Sequence, residues 1–303
     1  MAREIEEEEG GVIGDLVSAL VPSGVKESLS EMRSEIETQL ERIPNRLNEY
    51  GFDRFGMNPG YLRGNALPGY LMYRHYFRCE VSGAENVPEG RVLVIANHAG
   101  QLPFDGMMLS MALLLEAEPP RVARAMGEYF LPRVPGLGTM MARGGSMVGT
   151  PRNCVQMLRN EEAVVVFPEG ARGMNKPYSE RYKLQRFGLG FMRIALESDT
   201  PIVPVGIVGS DDQHPGFANL QGIADRFNLP ALPITPTFPW LGPLGLLPMP
   251  VKYRIYFGEP LRFSGEAEEE DADIQKRVDV VKGAIDGLLA RGLEEREGKG
   301  IFG

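Results

Sequence analysis

Arg91-Val-Leu-Val-Ile-Ala-Asn97-His98-Ala-Gly-Gln101-Leu-Pro-Phe-Asp105 decides how the rest of the chain is read. A short apolar run ends at Ala96, a turn with Gly and Pro follows, and from Asp105 the sequence becomes helical in pattern. A continuous apolar run of this length, bounded by turn residues, is the mark of a strand buried on both faces. Ala163-Val-Val-Val-Phe-Pro-Glu169-Gly170-Ala-Arg172 repeats the pattern, again with polar residues at the carboxyl end of the run. Further runs at 122–126, 201–208 and 251–257 alternate with helical stretches at 105–115, 153–159, 187–197 and 272–289. Apolar strands alternating with helices predict an α/β fold, with a mixed, mostly parallel central sheet flanked by helices.

Outside this core the chain reads as appendages. Residues 1–11 are acidic, and 51–66 are rich in Gly, Asn and Pro, as a linker would be. Leu29, Met32, Ile36, Leu40, Ile43 and Leu47 recur every three or four residues, predicting an amphipathic helix with a narrow apolar seam. That seam suits packing on its own domain or a homodimer contact. The expected division is an N-terminal extension at 1–66, the α/β domain at 67–265, and a C-terminal helix with a charged tail at 266–303. Within the second unit, 67–77 reads as a helix that mixes Tyr70, Tyr73, Tyr76 and Phe77 with Arg74 and His75.

The bulk numbers exclude several classes. The 303 residues are 43% hydrophobic and 24% charged, an ordinary globular balance. With 41 acids against 32 bases the net charge is −9, which argues against nucleic acid as a partner because phosphate contacts need clustered cations. Cys79 and Cys154 are too few for a disulfide framework, and their spacing fits no zinc motif, so neither metal nor cofactor is expected and a cytoplasmic setting is. The uncharged stretch from 227 to 251 has the length to cross a bilayer. It also holds prolines at 230, 233, 236, 239, 243, 248 and 250, which a spanning helix does not accommodate. Its Trp240, Phe238 and leucines suit either a loop wrapped over the sheet or a peripheral contact with a membrane surface.

Of three histidines, His75 lies in the aromatic helix and His214 in a polar loop where a solvated ring would be unremarkable. His98 alone follows a buried strand, the place where α/β enzymes gather catalytic groups. Asp105 is the acid that can serve it, and it also suits a helix N-cap. Glu169 at the mouth of the sheet suits a hydroxyl. Arg172 and Arg143, the latter in a Gly-rich turn, suit a phosphate. A Gly-x-Ser-x-Gly elbow, a phosphate loop and a dinucleotide fingerprint are all missing from the sequence.

The order of these segments resembles the glycerolipid acyltransferases, the family of the bacterial lysophosphatidic acid acyltransferases. The likeness covers about residues 80–260 in four blocks: Asn97-His98…Asp105, Gly138-Thr-Met-Met-Ala-Arg143, Phe167-Pro-Glu-Gly-Ala-Arg172, and Pro201-Ile-Val-Pro204-Val205. The family places four residues between its His and Asp. Here six intervene, position 103 being Pro103, so the loop must return Asp105 to the ring. The third block carries Ala171 where the family has Thr.

The resemblance implies acyl transfer from acyl-CoA or acyl carrier protein to a lipid hydroxyl, with a lysophospholipid such as lysophosphatidate as the foremost acceptor. It implies His98 and Asp105 as the catalytic pair, and Arg143, Glu169, Gly170 and Arg172 as substrate-binding residues. Tyr178…Tyr182-Lys183-Leu184, followed by Gly188-Leu-Gly-Phe-Met, is similar to relatives that acylate neutral alcohols such as diacylglycerol. A non-catalytic lipid-binding protein of the same fold is the reading from another class. The expected place is the inner face of the membrane, peripherally attached.

Overall fold

The computed structural model describes residues 23–44, 47–100, 102–127, 136–215, 218–219, 233–234, 238, 240–242, 245 and 247–303. Residues 1–11, Gln101 and most of the proline-rich segment therefore lie outside the described residues. The strands are β1 (Glu80–Ser82), β2 (Val92–Ala96), β3 (Ala123–Gly127), β4 (Met147–Val148), β5 (Ala163–Val166), β6 (Ile202–Val208), β7 (Ala218–Asn219), β8 (Pro233–Ile234) and β9 (Arg254–Phe257). The helices are α1 (Ser23–Glu41), α2 (Pro59–Asn65), α3 (Leu67–Leu71), α4 (Phe104–Leu115), α5 (Leu137–Arg143), α6 (Pro151–Arg159), α7 (Ala171–Met174), α8 (Gly190–Glu197) and α9 (Asp271–Arg296).

Among the described residues seven strands form one sheet in the order β1-β9-β6-β2-β5-β3-β4, and β7 pairs with β8. From β6 to β4 every neighbouring pair is parallel, while β9 runs antiparallel to β6 and carries β1 along its outer side. The fold is thus α/β with a mixed, mostly parallel sheet. All residues of β2 and β6 are buried, which is why these strands are unbroken apolar runs. Their side chains alternate between two cores. Val92, Val94 and Ala96 face one with Met108, Leu109 and Leu113 of α4, and Leu93 and Ile95 face the other with α6, α8 and α9.

Register positions the site. Ile95 lies beside Val166 on one side and beside Pro204 on the other. The carboxyl ends of β2, β5 and β6 are therefore neighbours, and so are the turns that leave them, at 97–103, 167–170 and 209–214. This is the edge at which parallel sheets bind ligands.

Several expectations change. α1 stops at Glu41, before Pro44, because the residues ahead of a proline are driven out of helical geometry. Leu47 falls outside the helix and is exposed. Ile36 and Leu40 are buried in the core they share with α3 and α4, so these two positions of the seam pack on their own chain. The expected linker contains α2, whose first turn is capped by the Asn58 side chain, which accepts the Tyr61 N–H at 2.7 Å. The expected helix over 67–77 is α3 followed by a π-helical turn, Met72–Tyr76. α9 runs to Arg296 and buries Ile274, Val278, Val281, Ile285 and Leu289 in the same core as Tyr256 of β9 and Val208 of β6. Among the described residues no helix is long and apolar enough to cross a membrane.

Candidate active site

Asn97 continues β2 by side chain. Its Oδ1 accepts the Ile207 N–H at 2.7 Å, and its Nδ2 donates to the Ile207 carbonyl at 3.0 Å. This amide replaces a pair of ladder bonds and ties the strand end to β6, so the next residue leaves the sheet at a fixed angle. That residue is His98, and its backbone N–H donates to Glu169 Oε1 at 2.9 Å.

The ring of His98 meets Asp105 with Nδ1 2.7 Å from Oδ2. The same Oδ2 accepts the Ala99 N–H at 2.9 Å, and Oδ1 accepts the Gly106 N–H at 2.7 Å. A carboxylate only accepts, so the ring proton sits on Nδ1 and the lone pair on Nε2. Among the described residues nothing bonds to Nε2. Asp105 is fully buried, whereas the His98 side chain keeps 11% of its surface. Asp105 does not cap its helix as expected. α4 starts at Phe104 with Pro103 in the cap position, and Asp105 lies inside the first turn, where the helix dipole favours its negative charge. Phe167 stacks on the imidazole, with centroids 4.3 Å apart and 25° between planes, and so sets its tilt.

The two extra loop residues are absorbed by a grip from β6. Gln213 Nε2 donates to the carbonyls of Gly100 and Leu102, each at 2.9 Å, and His214 Nδ1 lies 3.0 Å from the Gly100 oxygen. Tyr253 donates its hydroxyl to Gln213 Oε1 at 2.6 Å and fixes that amide's orientation. Gly100 adopts a φ of +92°, and a Cβ there would stand 2.1 Å from Gln213 Nε2 and 2.4 Å from the Ser210 carbonyl oxygen. Only glycine fits. His214, expected as a solvated loop residue, is buried and holds the catalytic loop.

Glu169 is also buried, and both its oxygens hold backbone: Oε1 takes His98 N–H and Oε2 takes Gln185 N–H at 2.6 Å. The geometry gives it a hold on the loop rather than the expected open hand for a hydroxyl. Gly170 has a φ of +57° and caps α7. A Cβ on Gly173, in that short helix, would stand 2.6 Å from the His98 carbonyl oxygen, so α7 lies against the histidine backbone. Arg172 of the same helix is exposed, and its guanidinium donates to the Arg186 carbonyl at 3.3 Å. Lys183 and Arg186 are exposed as well. Arg143 ends α5 with its guanidinium 5.9 Å from the Tyr61 ring centre, and no contact among the described residues joins it to His98. Lys176 is buried against Asp211 at 3.0 Å. Burial pushes the Asp211 carboxyl up to about 6, with Lys176 pulling the other way. Burial and the neighbouring Asp212 raise the Tyr182 hydroxyl well above its ordinary range.

Phe167, Gln213, His214 and Tyr253 were not singled out for a role in the site. Phe167 stands directly after β5, and an aromatic in that position is a signal the sequence carries. For the other three, only the topology shows that they converge.

Residues 78–208, which hold His98, Asp105, Arg143, Glu169, Gly170 and Arg172, match the family model described as Acyltransferase. This segment of the chain is of the acyltransferase family. An uncharacterized protein of Mycobacterium tuberculosis is 40% identical over 228 residues, covering 74% of this chain and 63% of that one. A chicken protein described as a DGAT1/2-independent enzyme synthesizing storage lipids is 27% identical over 227 residues, 72% of this chain and 64% of that one. The chain thus spans less than two thirds of the length of these relatives. Among solved structures, the 1-acyl-sn-glycerophosphate acyltransferase of Thermotoga maritima overlaps 93% of this chain and 88% of its own chain, at 19% identity and a TM-score of 0.46.

Proposed function

We propose that this acyltransferase moves a fatty acyl group from a thioester, acyl-CoA or acyl carrier protein, to a hydroxyl of a lysophospholipid such as lysophosphatidate. One observation carries the reading: an imidazole whose Nδ1 is held by a buried carboxylate, while Nε2 has no partner among the described residues at the open end of the sheet. In this reading Nε2 takes the proton of the acceptor hydroxyl as its oxygen attacks the thioester carbonyl. A C–O bond forms, the tetrahedral adduct collapses with loss of the C–S bond, and the proton passes from His98 to the departing sulfur. Asp105 keeps the tautomer and stabilises the imidazolium, as the carboxylate does in serine hydrolases.

Arg172, Lys183 and Arg186 leave exposed cations next to this edge, which suits a phosphate on the acceptor or on the donor. Arg143 is proposed to meet the acceptor phosphate only when substrate is bound. The printed description of the chicken relative favours a second acceptor, a neutral glyceride such as diacylglycerol. Trp240, Leu241 and Leu247 are exposed at 77%, 58% and 63%, which supports peripheral docking on a membrane at the cytoplasmic face.

The deciding assay offers purified protein labelled acyl-CoA and acyl carrier protein against lysophosphatidate, other lysophospholipids and diacylglycerol. Transfer to lysophosphatidate that exceeds the other acceptors supports the first reading. Transfer to diacylglycerol alone replaces the acceptor. Absence of transfer to every hydroxyl, with the protein folded, removes the enzymatic reading.

A further inference from the structure

The loop that grips Gly100 is itself held by a polar cluster assembled from three distant parts of the chain. Asp212, fully buried, accepts the Tyr178 hydroxyl on Oδ1 at 3.0 Å and the Tyr182 hydroxyl on Oδ2 at 2.5 Å. Arg296 Nη1, from the last turn of α9, pairs with the same Oδ2 and lies 3.0 Å from the Tyr182 oxygen. Tyr182 also accepts the Gly209 N–H at 3.0 Å, so one phenol joins the start of the β6 loop to its acid. Beside it, Asp211 pairs with Lys176 at 3.0 Å. The next two residues, Gln213 and His214, are those on the Gly100 carbonyl.

We infer that Arg296 is a positioning residue for the His98 loop, acting through Asp212 and the Gln213–His214 grip. A fully buried carboxylate without its cation costs several kcal/mol, so the β6 loop must shift or Asp212 must take up a proton when the arginine is lost. There is no slack to absorb such a shift, because Ser210 and Gln213 already stand where a Cβ of Gly100 would be. The loop between Gly100 and Asp105 determines where the imidazole points, and displacement of about 1 Å at a reacting group can cost about 100-fold in rate. The position of Arg296 is in turn set by the buried face of α9, from Ile274 to Leu289. The C-terminal helix thereby becomes part of the catalytic architecture although it supplies no group to the substrate.

The kinetic arm of the test rests on the proposed acyl transfer, and the exchange arm does not. In Arg296→Met, amide hydrogen exchange at Ala99, Leu102 and Phe104 is expected to accelerate by about tenfold. The kcat should fall by about tenfold or more, with KM for the thioester within about twofold. Arg296→Lys should recover part of both. Arg291→Met, on the same helix but bonded to Glu295 at the surface, should change neither. A folded Arg296→Met protein with wild-type exchange in these amides, or with unchanged kcat, overturns the inference. If Arg296→Met does not fold, Tyr178→Phe removes another Asp212 donor and is read by the same two measurements. Wild-type protein without transferase activity would defeat the function and leave the exchange result to decide the positioning role.

Discussion

His98 Nδ1 stands 2.7 Å from Asp105 Oδ2 although six residues separate them in the chain. The loop closes because Ala99 N–H shares the same carboxylate oxygen and Gln213 binds the carbonyls on either side of the bulge. His98→Ala is therefore expected to lower kcat by about 10²–10⁴-fold while thermal melting stays near wild type. Asp105→Asn should also cut kcat about 10²–10⁴-fold, because an amide can pair with the ring in the wrong tautomer. Steady-state kinetics beside a melting curve checks both. An alanine variant that keeps more than about a tenth of the rate removes His98 from the chemistry.

Glu169 separates support from contact. Its two oxygens hold the backbone N–H groups of His98 and Gln185, and a glutamine would turn one acceptor into a donor facing a donor. Glu169→Gln should lower stability by about 1–3 kcal/mol. It should also slow turnover at temperatures where the variant is fully folded, as measured by urea titration and kinetics on the same sample. Loss of stability with full turnover would confine Glu169 to the fold.

Much of this was readable in advance, for a physical reason. Strands β2, β5 and β6 are buried on both sides, so their sequences at 92–96, 163–167 and 201–208 are unbroken apolar runs, and the polar residues that end them announce the site. β1 and β4 are short pieces at the sheet's two edges, without a fully buried residue between them, and leave no such trace. The π-helical turn at Met72–Tyr76 looks like ordinary helix in periodicity. The grip on Gly100 joins residues 113 apart, and the Arg296–Asp212 pair joins residues 84 apart. Neither has a local pattern, because each exists only once the sheet has brought β6 beside β2.

The cysteines supply a control on mechanism. Burial pushes the Cys154 thiol up to about 11 and raises Cys79 further, so neither holds useful thiolate at neutral pH. The double variant Cys79→Ser, Cys154→Ser should keep kcat within about twofold once it is folded, and the wild type should react slowly with iodoacetamide. Loss of turnover in the folded double variant would reopen an acyl-cysteine route.

Leu247 is 63% exposed, and Pro248 beside it accepts the Tyr76 hydroxyl at 2.6 Å. Met249 N–H bonds the Gln213 carbonyl at 2.8 Å, so this apolar corner borders the grip on the catalytic loop. Placing a charge there should weaken membrane partition without touching the His98–Asp105 pair. Leu247→Glu and Trp240→Ala should float with phosphatidylglycerol-containing liposomes at a half or less of the wild-type fraction. Turnover on a monodisperse, short-chain acceptor should be unchanged. Wild-type flotation by both variants contradicts the docking surface.

Asp211 predicts how stability responds to acid. Its carboxyl is raised from 3.8 to about 6 in the folded protein, first by burial, while an unfolded aspartate titrates at its ordinary value. Between about pH 4 and pH 6 the folded state therefore binds more protons than the unfolded state, and this group's contribution to stability falls as pH rises. The span is on the order of 1–3 kcal/mol. Asp211→Asn removes that titration, leaving Lys176 with a neutral acceptor. Relative to wild type, the variant should gain stability steadily as pH goes from 4 to 6, and the difference should level off above that. Urea midpoints at half-unit pH steps measure it, and parallel curves for the two proteins would show that Asp211 is ionised throughout the window.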